Sequence, residues 1–499
     1  MNGARCRRAA LSASCLLLLL VGILLYAPDS LGDAASLTMA ETAASSFQRC
    51  HVILDAGSSG TRALLYLYDD RRPLETISQA WVLKVEPGLS ACATASDGAT
   101  RECAEARVAS TLALTYHRAR IELGLDTLAA LSRVNLYATA GLRLLPSAMQ
   151  AQLLAGAARA IDASRFAACV APCARVISGA EEAKFSWISA NVALGLAVSG
   201  GERGRLRPGS GALTPSTVAV LDMGGASTQI AFVPSTTPTS DSAQPLEVLR
   251  VAGVERRLYA VSRLGYGLNA VYRAVLQLGV DTEGEGSEAR AHPCILRGVA
   301  ELVEANEAAT IHYVGRGDFD ACRTLVKRWV AKSERDGLGG LGKSPRTPRL
   351  PARQPIVLLD NFNYMLGALW GGLNASVLAM IPSARGRDVG EASASESEAK
   401  RAVASLPAPS IEQIAERARL FCSTPWDDIF ARLSPRLRAR YSSKKACFSA
   451  AYVVTLLVDV YAADWQSREA PIFFADTLAG FEASWALGAA CNLLVPLTR

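Results

Sequence analysis

Apolar runs alternate with short stretches of small and polar residues along this chain, most regularly at Val218–Val233. The apolar run Val218–Leu221 ends in Asp222, and four small residues, Gly224–Ser227, follow shortly after it. Thr228–Val233 then resumes as a β-type run. This pattern predicts a strand, a tight turn that another group can approach closely, and a second strand.

The same pattern occurs at His51–Tyr68, where an apolar strand ends in Asp55 and leads through Gly57–Thr61 into a second alternating strand. Backbone N–H groups in such turns bind phosphate oxygens, and an aspartate at a strand end can hold a hydrated divalent cation. Glycine-rich hairpins are common, so one copy alone would be weak support for phosphate binding. Two copies, each preceded by an aspartate, predict a duplicated phosphate-binding site.

The rest of the pattern alternates strands with helices, which is typical of the α/β class. Further strands are predicted at Thr76–Leu83, Val134–Thr139 and Val176–Ser178, and helices at Ala104–Leu123, Ser147–Ile161, Gly179–Trp187, Ile411–Phe421 and Cys447–Val460. The stretch Ala475–Leu494 predicts a closing helix with Trp485 and Leu487 on or near its buried face. Two low-complexity stretches, Lys332–Pro355 and Arg385–Pro409, predict solvated loops.

The N-terminus carries a basic and apolar leader. Three arginines precede Ala9–Ala27, nineteen residues without charge. This length and flanking charge fit a single signal anchor or a cleaved signal peptide, and the length favours the anchor. We expect residues 1–28 to form this segment, residues 29–50 to form a stem, and the remainder to lie in a lumen or outside the cell. Asn374 begins a sequon that could accept a glycan there.

Composition narrows the classes of function. The net charge of +6 is modest and partly located in the leader, so no nucleic-acid-binding surface is expected. Four histidines in 499 residues argue against a histidine-based catalytic or zinc site. Ten of the twelve cysteines follow the leader without paired zinc-site spacing. They predict up to five disulfides, with Cys92–Cys103 and Cys294–Cys322 as candidate local pairs and the remaining connectivity open.

Hydrolysis of a phosphoanhydride needs donors around the phosphates, a metal ion to offset their charge and a base to activate water. The two turns supply donors, and Asp55 and Asp222 are candidate metal ligands, through bound waters in the case of Mg²⁺. Glu181 and Glu182 begin a predicted helix near a strand end, so one can project into the site while the other, about 100° away, points elsewhere. The alternative is that both carboxylates only favour the helix N-terminus through its dipole.

Five motifs, in this order, resemble the apyrase family, the nucleoside triphosphate diphosphohydrolases that include the Golgi guanosine diphosphatases. They are DAGSSGTR at Asp55–Arg62, ATAGLR at Ala138–Arg143, SGAEEAKFSWISAN at Ser178–Asn191, LDMGGASTQI at Leu221–Ile230 and SWALGAA at Ser484–Ala490. The resemblance spans His51–Asn492, nearly all of the chain after the leader. It implies an α/β fold of two actin-like (ribonuclease H-like) domains with a nucleotide cleft between them. Domain I would be 51–178, domain II 179–474 with the low-complexity insertions, and a C-terminal helix in 475–499 would return to domain I.

The resemblance also implies roles for individual residues. Glu182 matches the general base, and Ser227 and Gln229 match the residues that orient the attacking water. Asp55 and Asp222 match the carboxylates that hold hydrated Ca²⁺ or Mg²⁺. The phosphate-contacting positions are Ser58, Ser59, Gly60, Thr139, Gly224, Gly225 and Ala226. Tyr364 matches loosely an aromatic that stacks on the base, and a core aromatic is an equal alternative.

The chain departs from the family pattern at the helix that carries the two glutamates. Ala183 stands where the family commonly has glycine, and Lys184 and Ser186 occupy positions that are usually apolar or small, so the helix start can differ while the base is unchanged. Gly60-Thr61-Arg62 resembles Golgi-type and soluble members, whereas cell-surface members more often have a histidine there. With the leader, this predicts a Golgi membrane protein with a lumenal catalytic domain, or a cell-surface or secreted protein if the leader is cleaved.

The main hypothesis is therefore metal-dependent hydrolysis of nucleoside di- and/or triphosphates to the monophosphate and phosphate. One alternative is an exopolyphosphatase-like or kinase-like enzyme of the same actin-like superfamily. Another is a nucleotide-binding surface adhesin or receptor with little turnover, although the intact Glu182, Ser227 and Gln229 argue against it. Base preference, phosphate number and oligomeric state stay open at this stage.

Overall fold

Two mixed β-sheets with the same order of strands form the framework of this chain. The computed structural model describes residues 49–94, 99–123, 132–166, 169–196, 217–234, 246–251, 254–278, 289–306, 309–337, 350–351, 354–371, 409–433, 438, 444–461, 472–475 and 477–495. The leader, nearly all of the stem, Asn374 and most of the two low-complexity stretches lie outside these residues. Within them, every helix is too short or too polar to cross a membrane.

The first sheet comes from the N-terminal part of the described chain. Its strands are β1 (Arg49–Ala56), β2 (Thr61–Tyr68), β3 (Ser78–Val85), β4 (Ser132–Ala138) and β5 (Ala174–Val176), in the order β3-β2-β1-β4-β5. β1 to β3 run antiparallel, and β4 and β5 continue the sheet parallel to β1. β1 and β2 are buried along almost their whole length, which explains why both are continuous apolar runs. The helical elements of this part are α1 (Pro73–Thr76), a 3₁₀ turn (Leu89–Thr94), α2 (Thr100–Leu123), α3 (Ala140–Arg143) and α4 (Ser147–Asp162).

The second sheet repeats this arrangement. The next strands are β6 (Ala219–Met223), β7 (Ser227–Phe232), β8 (Glu247–Val251), β9 (Val254–Leu264), β10 (Arg290–His292), β11 (Ala300–Asn306), β12 (Ala309–Gly315), β13 (Ile356–Asp360) and β14 (Ile472–Ala475). The large sheet has the order β14-β13-β6-β7-β9-β8, and β10-β12-β11 form a separate small sheet. β6, β7 and β9 are antiparallel, while β13 and β14 are parallel to β6. The series β14-β13-β6-β7-β9 therefore matches β5-β4-β1-β2-β3 strand for strand.

Helices cover these sheets and build two hydrophobic clusters. The remaining helices are α5 (Gly179–Ala193), α6 (Leu268–Leu278), α7 (Phe319–Arg335), α8 (Asn361–Gly371), α9 (Ile411–Ser423), α10 (Trp426–Arg432), α11 (Ala446–Thr455), a π-helical turn (Leu456–Val460) and α12 (Ala486–Leu494). One cluster joins the second sheet to α6, α7, α9 and α11. The other joins residues of both sheets to α5 and α12. α12 packs closely on α5, because a Cβ at Gly488 would lie 2.0 Å from the carbonyl oxygen of Phe185.

The predicted closing helix over Ala475–Leu494 is wrong in extent, although Trp485 and Leu487 are buried as expected. β14 ends at Ala475, and β15 (Thr477–Leu478) and β16 (Phe481–Glu482) form a short hairpin before α12 begins at Ala486. Ala479 (φ 49°) and Gly480 (φ 91°) at the turn both have positive φ, which an α-helix does not accommodate. The backbone N–H of Glu482 also donates to the side chain of Gln79 at 3.0 Å, which fixes the hairpin against the first sheet.

The described cysteines form four disulfides. Both candidate local pairs, Cys92–Cys103 and Cys294–Cys322, are confirmed, and Cys169–Cys173 and Cys422–Cys447 form as well. Cys50 and Cys491 are buried thiols. Burial raises the pKa of each to about 12, so both are protonated at neutral pH.

Candidate active site

The predicted site residues come together where strands of both sheets end. Asp55 lies one residue before the end of β1, Asp222 one residue before the end of β6, and Asp360 ends β13, the parallel neighbour of β6. Parallel strands present their carboxyl ends at one edge, where ligands bind in open α/β sheets. The cavity there has about 70 Å³ of room for water-sized groups, whereas one water needs about 10–15 Å³ on this scale. The space is therefore that of about five to seven waters, or of polar groups of similar size.

Twelve of the thirteen site residues predicted from the sequence line this cavity. They are Asp55, Ser58, Ser59, Gly60, Thr139, Glu182, Asp222, Gly224, Gly225, Ala226, Ser227 and Gln229. The exception is Tyr364, which is half-buried near the start of α8. Tyr364 is among the groups that raise the pKa of Arg62, a residue that does line the cavity.

The first loop, Gly57–Gly60, follows Ala56 at the end of β1. The N–H of Gly57 donates to the carbonyl of Gly60 at 3.0 Å and closes the turn. Gly88 and Gly141 lie against it, because a Cβ on Gly88 would be 2.5 Å from the carbonyl oxygen of Gly57 and one on Gly141 would be 2.8 Å from the Cα of Ser58. The loop is therefore held in place by neighbouring backbone that only glycine permits to approach so closely.

The second loop, Gly224–Ala226, joins β6 to β7. The N–H of Gly224 donates to the carbonyl of Ser227 at 2.9 Å, and the carbonyls of Gly224 and Gly225 accept from the N–H groups of Leu268 and Asn269 at 3.0 and 2.9 Å. These donors belong to the start of α6, whose first N–H groups have no partner within the helix. The bonds engage carbonyl oxygens that would otherwise repel a phosphate.

The two loops meet across the cavity. A Cβ on Gly225 would lie 2.7 Å from the Oγ of Ser58, so the second loop contacts the first. Gly267 closes the other side, since its Cβ would lie 2.2 Å from the backbone nitrogen of Ala226 and 2.3 Å from that of Ser227. One chain of linked phosphates can therefore contact both loops at once.

Two buried carboxylates in the cavity fit a divalent cation. Burial raises the pKa of Asp55 to about 6, against the opposing charge of Arg62, and raises that of Asp222 to about 8, with Asp360 and Glu182 adding to the shift. Within the described part of the chain, the Oδ1 of Asp55 is buried without a hydrogen-bond partner. Buried anionic oxygens without sufficient counter-charge are what a hard cation needs as ligands.

The two glutamates of α5 have separated roles. Ser178 caps the helix: its side chain accepts from the N–H of Glu181 at 3.1 Å, and the Glu181 carboxylate accepts from the N–H of Ser178 at 2.9 Å. Burial would raise the pKa of Glu181, but bonds from Arg175 and Ser178 lower it overall. Glu181 is therefore the structural carboxylate of a capping box. Glu182, one residue later, faces the cavity.

The surroundings of Glu182, the predicted general base, raise its pKa. It is only 7% exposed, and its Oε2 accepts a hydrogen bond from Arg143, just after β4. Burial raises the pKa of Glu182 to about 7, and Arg143 opposes the shift. A base whose pKa lies near the working pH transfers protons most effectively.

Ser227 and Gln229 lie on one face of β7, two residues apart. The Nε2 of Gln229 donates to the Oγ of Ser227 at 2.6 Å and to the Oγ of Ser262 at 3.1 Å. The Ser227 hydroxyl accepts this bond and so keeps its own proton to donate. Both side chains line the cavity with Glu182, and the three can hold one water between a base and polar groups.

Several polar side chains in or beside the cavity had no role in the sequence-based prediction, among them Arg62, Arg143, Ser186 and Asp360. Asp360 carries a recognisable signal, since Ile356–Asp360 is a third apolar run that ends in aspartate. Arg62 and Arg143 each lie at the end of a quoted motif, but their charge partners become visible only in the fold. Lys84 also lines the cavity and forms an exposed ion pair with Glu86 at its rim.

The three residues of α5 that differ from the family pattern are in different surroundings. Ala183 is buried, Lys184 forms an ion pair with Glu247 at 3.0 Å, and Ser186 donates to the Oδ2 of Asp222 at 2.8 Å. The helix start is the regular capped form described above. Ser186 is therefore a polar contact to a predicted metal ligand.

Comparisons with known proteins show which proteins the chain is similar to. A model of the GDA1/CD39 (nucleoside phosphatase) family matches residues 42–336 and 396–498. The chain is 27% identical over 333 residues to ectonucleoside triphosphate diphosphohydrolase 7 of Mus musculus, covering 59% of this chain and 53% of the relative. It is 28% identical over 307 residues to the Golgi apyrase of Schizosaccharomyces pombe, covering 57% and 49%. The chain thus spans about half the length of these two relatives.

A solved structure is similar over almost the whole length. The crystal structure of nucleoside triphosphate hydrolases from Neospora caninum superimposes with a TM-score of 0.62 at 16% identity, covering 97% of both chains. At this identity the match speaks for the fold alone. Together with the repeated sheets, it confirms the predicted α/β class.

Proposed function

Because the chain belongs to the GDA1/CD39 (nucleoside phosphatase) family, we propose that it hydrolyses nucleoside di- and/or triphosphates to the nucleoside monophosphate and phosphate. The observation that carries this proposal is that both glycine-rich loops, two buried aspartates and Glu182 line the same cavity. A nucleotide-binding adhesin would need the loops, but it would have no use for a buried glutamate whose pKa is about 7. We propose that the reaction takes place in the lumen of the secretory pathway, at the Golgi membrane, or outside the cell.

The residues divide the reaction among them. The two loops bind the phosphate chain, and their contact through Ser58 and Gly225 brings the terminal phosphoryl group to the junction of the sheets. Glu182 takes a proton from a water held by Ser227 and Gln229, and the water oxygen attacks the terminal phosphorus in line. The bond from that phosphorus to the bridging oxygen breaks, and the bridging oxygen leaves with the shorter nucleotide. Arg143 orients the carboxylate of Glu182.

A divalent cation, Ca²⁺ or Mg²⁺, is part of this proposal. Asp55 and Asp222 would hold it, directly or through its waters, and it would offset the charge of the phosphates. The unpartnered Oδ1 of Asp55 and the raised pKa values of both aspartates support this assignment. Base stacking by Tyr364 stays a prediction, because Tyr364 is not among the residues that line the cavity.

Substitution of Glu182 tests the proposal. The full chain, produced in an oxidising secretory compartment, is assayed for phosphate release from GDP, UDP, ADP and the triphosphates, with and without Ca²⁺ or Mg²⁺. Glu182→Gln should lower turnover by about 10²–10⁴-fold, the usual contribution of a general base, while nucleotide binding persists. Glu181→Gln is the matched control, since a glutamine can still complete the capping box. Unchanged turnover in Glu182→Gln would refute the assignment. A folded wild-type chain that binds nucleotide without releasing phosphate would instead favour the adhesin or receptor.

A further inference from the structure

Arg62 lies between two carboxylates that belong to different sheets. Its Nη1 is 3.8 Å from the Oδ2 of Asp55, its cross-strand neighbour, and its Nη2 is 3.6 Å from the Oδ1 of Asp360 on the second sheet. Both distances exceed those of a direct N–H···O hydrogen bond. Arg62 is thus attracted from both sides and closely paired with neither.

Asp360 is held firmly on its side of the cavity. It ends β13 with a φ of 53°, which is uncommon for a residue other than glycine. The next residue, Asn361, donates from its side chain to the carbonyl of Met223 at 2.7 Å, which ties the end of β13 to the end of β6. A fixed backbone keeps the Asp360 carboxylate opposite Arg62.

In this arrangement one carboxylate oxygen of Asp55 is available to bind a cation. Its Oδ1 is buried without a hydrogen-bond partner among the described residues, while its Oδ2 faces Arg62. An arginine that closes on a carboxylate typically engages both oxygens through its forked N–H groups. If nothing attracted Arg62 toward the second sheet, its guanidinium would close on Asp55 and occupy the oxygen that a cation needs.

We propose that Asp360 is a positioning residue that holds the Arg62 guanidinium away from Asp55 and so keeps an oxygen of Asp55 open for a divalent cation. This rests on the proposed cation site of the hydrolase but makes no use of turnover. Asp360 acts through Arg62 and is not itself a ligand of the cation. The inference extends the site to a residue that none of the five motifs contains.

Measuring the binding of Mn²⁺ in the absence of nucleotide tests the proposal. Binding is monitored by electron paramagnetic resonance, as the decrease in the signal of unbound Mn²⁺. The variants are Asp360→Asn, Arg62→Gln and the double variant, in the full chain. Asp360→Asn should weaken Mn²⁺ binding about tenfold, within the coupling seen between contacting charged residues. In the Arg62→Gln background, Asp360→Asn should have almost no further effect, because no guanidinium remains to be held back.

Two outcomes would overturn the proposal. One is wild-type Mn²⁺ affinity in Asp360→Asn. The other is an equal loss of affinity with and without Arg62, which would make Asp360 a direct source of attraction for the cation.

Asp360→Gly serves as a second variant, since glycine suits the positive φ and also removes the carboxylate. Asp70→Asn controls for the lost charge, because Asp70 belongs to an exposed pair with Arg49. Absence of phosphate release by the wild type would refute the hydrolase while leaving this coupling measurable.

Discussion

The two sheets have the same frame but place different charges around their aspartates. In the first, Asp55 on β1 is in register with Arg62 on β2, and in the second, Asp222 on β6 is in register with Gln229 on β7. The same position thus carries a cation in one half and a neutral amide in the other. Burial raises both pKa values, that of Asp55 to about 6 and that of Asp222 to about 8. The charge of Arg62 is the main opposition to burial at Asp55, whereas at Asp222 the charges of Asp360 and Glu182 add to burial before any opposing group acts.

The comparison shows how a duplicated frame becomes an asymmetric site. The first half contributes the cations Arg62 and Arg143, and the second contributes Asp222 and Asp360 with the neutral Ser227 and Gln229. Negative charge without compensation therefore concentrates at the second sheet. We expect the bound cation to matter most there, and three predictions test this difference between the halves.

The largest expected effect is on stability without metal. A carboxyl group whose pKa is raised on folding binds its proton more tightly in the folded state, so the free energy of unfolding falls as pH rises from about 4 through the folded pKa. An asparagine in place of the aspartate does not ionise, so the variant does not lose this stability as the pH rises. At pH 8 or above in a chelator, Asp222→Asn should be more stable than the wild type by at most about 6 kcal/mol and Asp55→Asn by at most about 3 kcal/mol, at about 1.4 kcal/mol per pKa unit.

Urea unfolding at pH 4 and pH 8 measures this difference. At pH 4 both variants should resemble the wild type, because the folded-state carboxyls are then protonated. A saturating divalent cation should reverse the order at pH 8, since only the wild type keeps both ligands. Equal gains for the two variants at pH 8 would show that the halves do not differ as described.

The next effect concerns the glycines that support each loop. A Cβ on Gly267 would lie 2.2 Å from the nitrogen of Ala226 behind the second loop, and one on Gly141 would lie 2.8 Å from the Cα of Ser58 behind the first. Gly267→Ala and Gly141→Ala should each destabilise the fold by about 1–3 kcal/mol, the usual cost of overpacking, and Gly267→Ala should cost more. Both should weaken nucleotide binding because the loop backbone must shift.

Gly224→Ala is the control for stability. Its Cβ would come no closer than 3.5 Å to the carbonyl oxygen of Ser227, an ordinary contact, so its free energy of unfolding should change little. Chemical unfolding of the three variants ranks them directly. The interpretation of the loops fails if Gly141→Ala and Gly267→Ala are as stable as Gly224→Ala.

The two glycine-rich loops and their aspartates could be predicted from the sequence, because each set of residues is local in the chain and occurs twice. Each loop lies within one hairpin, so apolar run, aspartate and small residues occur together in the chain and predict both Asp55 and Asp222. Asp360 ends an equally apolar run, but Asn361 and Phe362 follow it in place of small residues, and its meaning comes from parallel pairing with β6. The ion pair of Arg143 with Glu182 likewise joins residues of different elements.

The C-terminal misassignment has the same physical origin. Ala475–Leu494 is apolar enough for a helix, and local preference favours one over the whole stretch. The hairpin before α12 is bonded to the first sheet through Glu482 and Gln79, which are 403 residues apart in the chain. Tertiary contacts of this kind override local propensity.

The smallest expected effect isolates a single hydroxyl. Ser186 donates to the Oδ2 of Asp222 at 2.8 Å and so stabilises the ionised form in the second half. Ser186→Ala should raise the pKa of Asp222 further, since hydrogen bonds to charged groups contribute about 1.5–3 kcal/mol. Mn²⁺ binding by Ser186→Ala near pH 7 should be severalfold weaker than that of the wild type. The two affinities should become equal at higher pH, where Asp222 ionises in both proteins.

Ser449→Ala removes another buried hydroxyl, bonded to the carbonyl of Lys445, and should leave this pH profile unchanged. Identical profiles for Ser186→Ala and the wild type would mean that the charge of Asp222 depends on burial and its carboxylate neighbours alone.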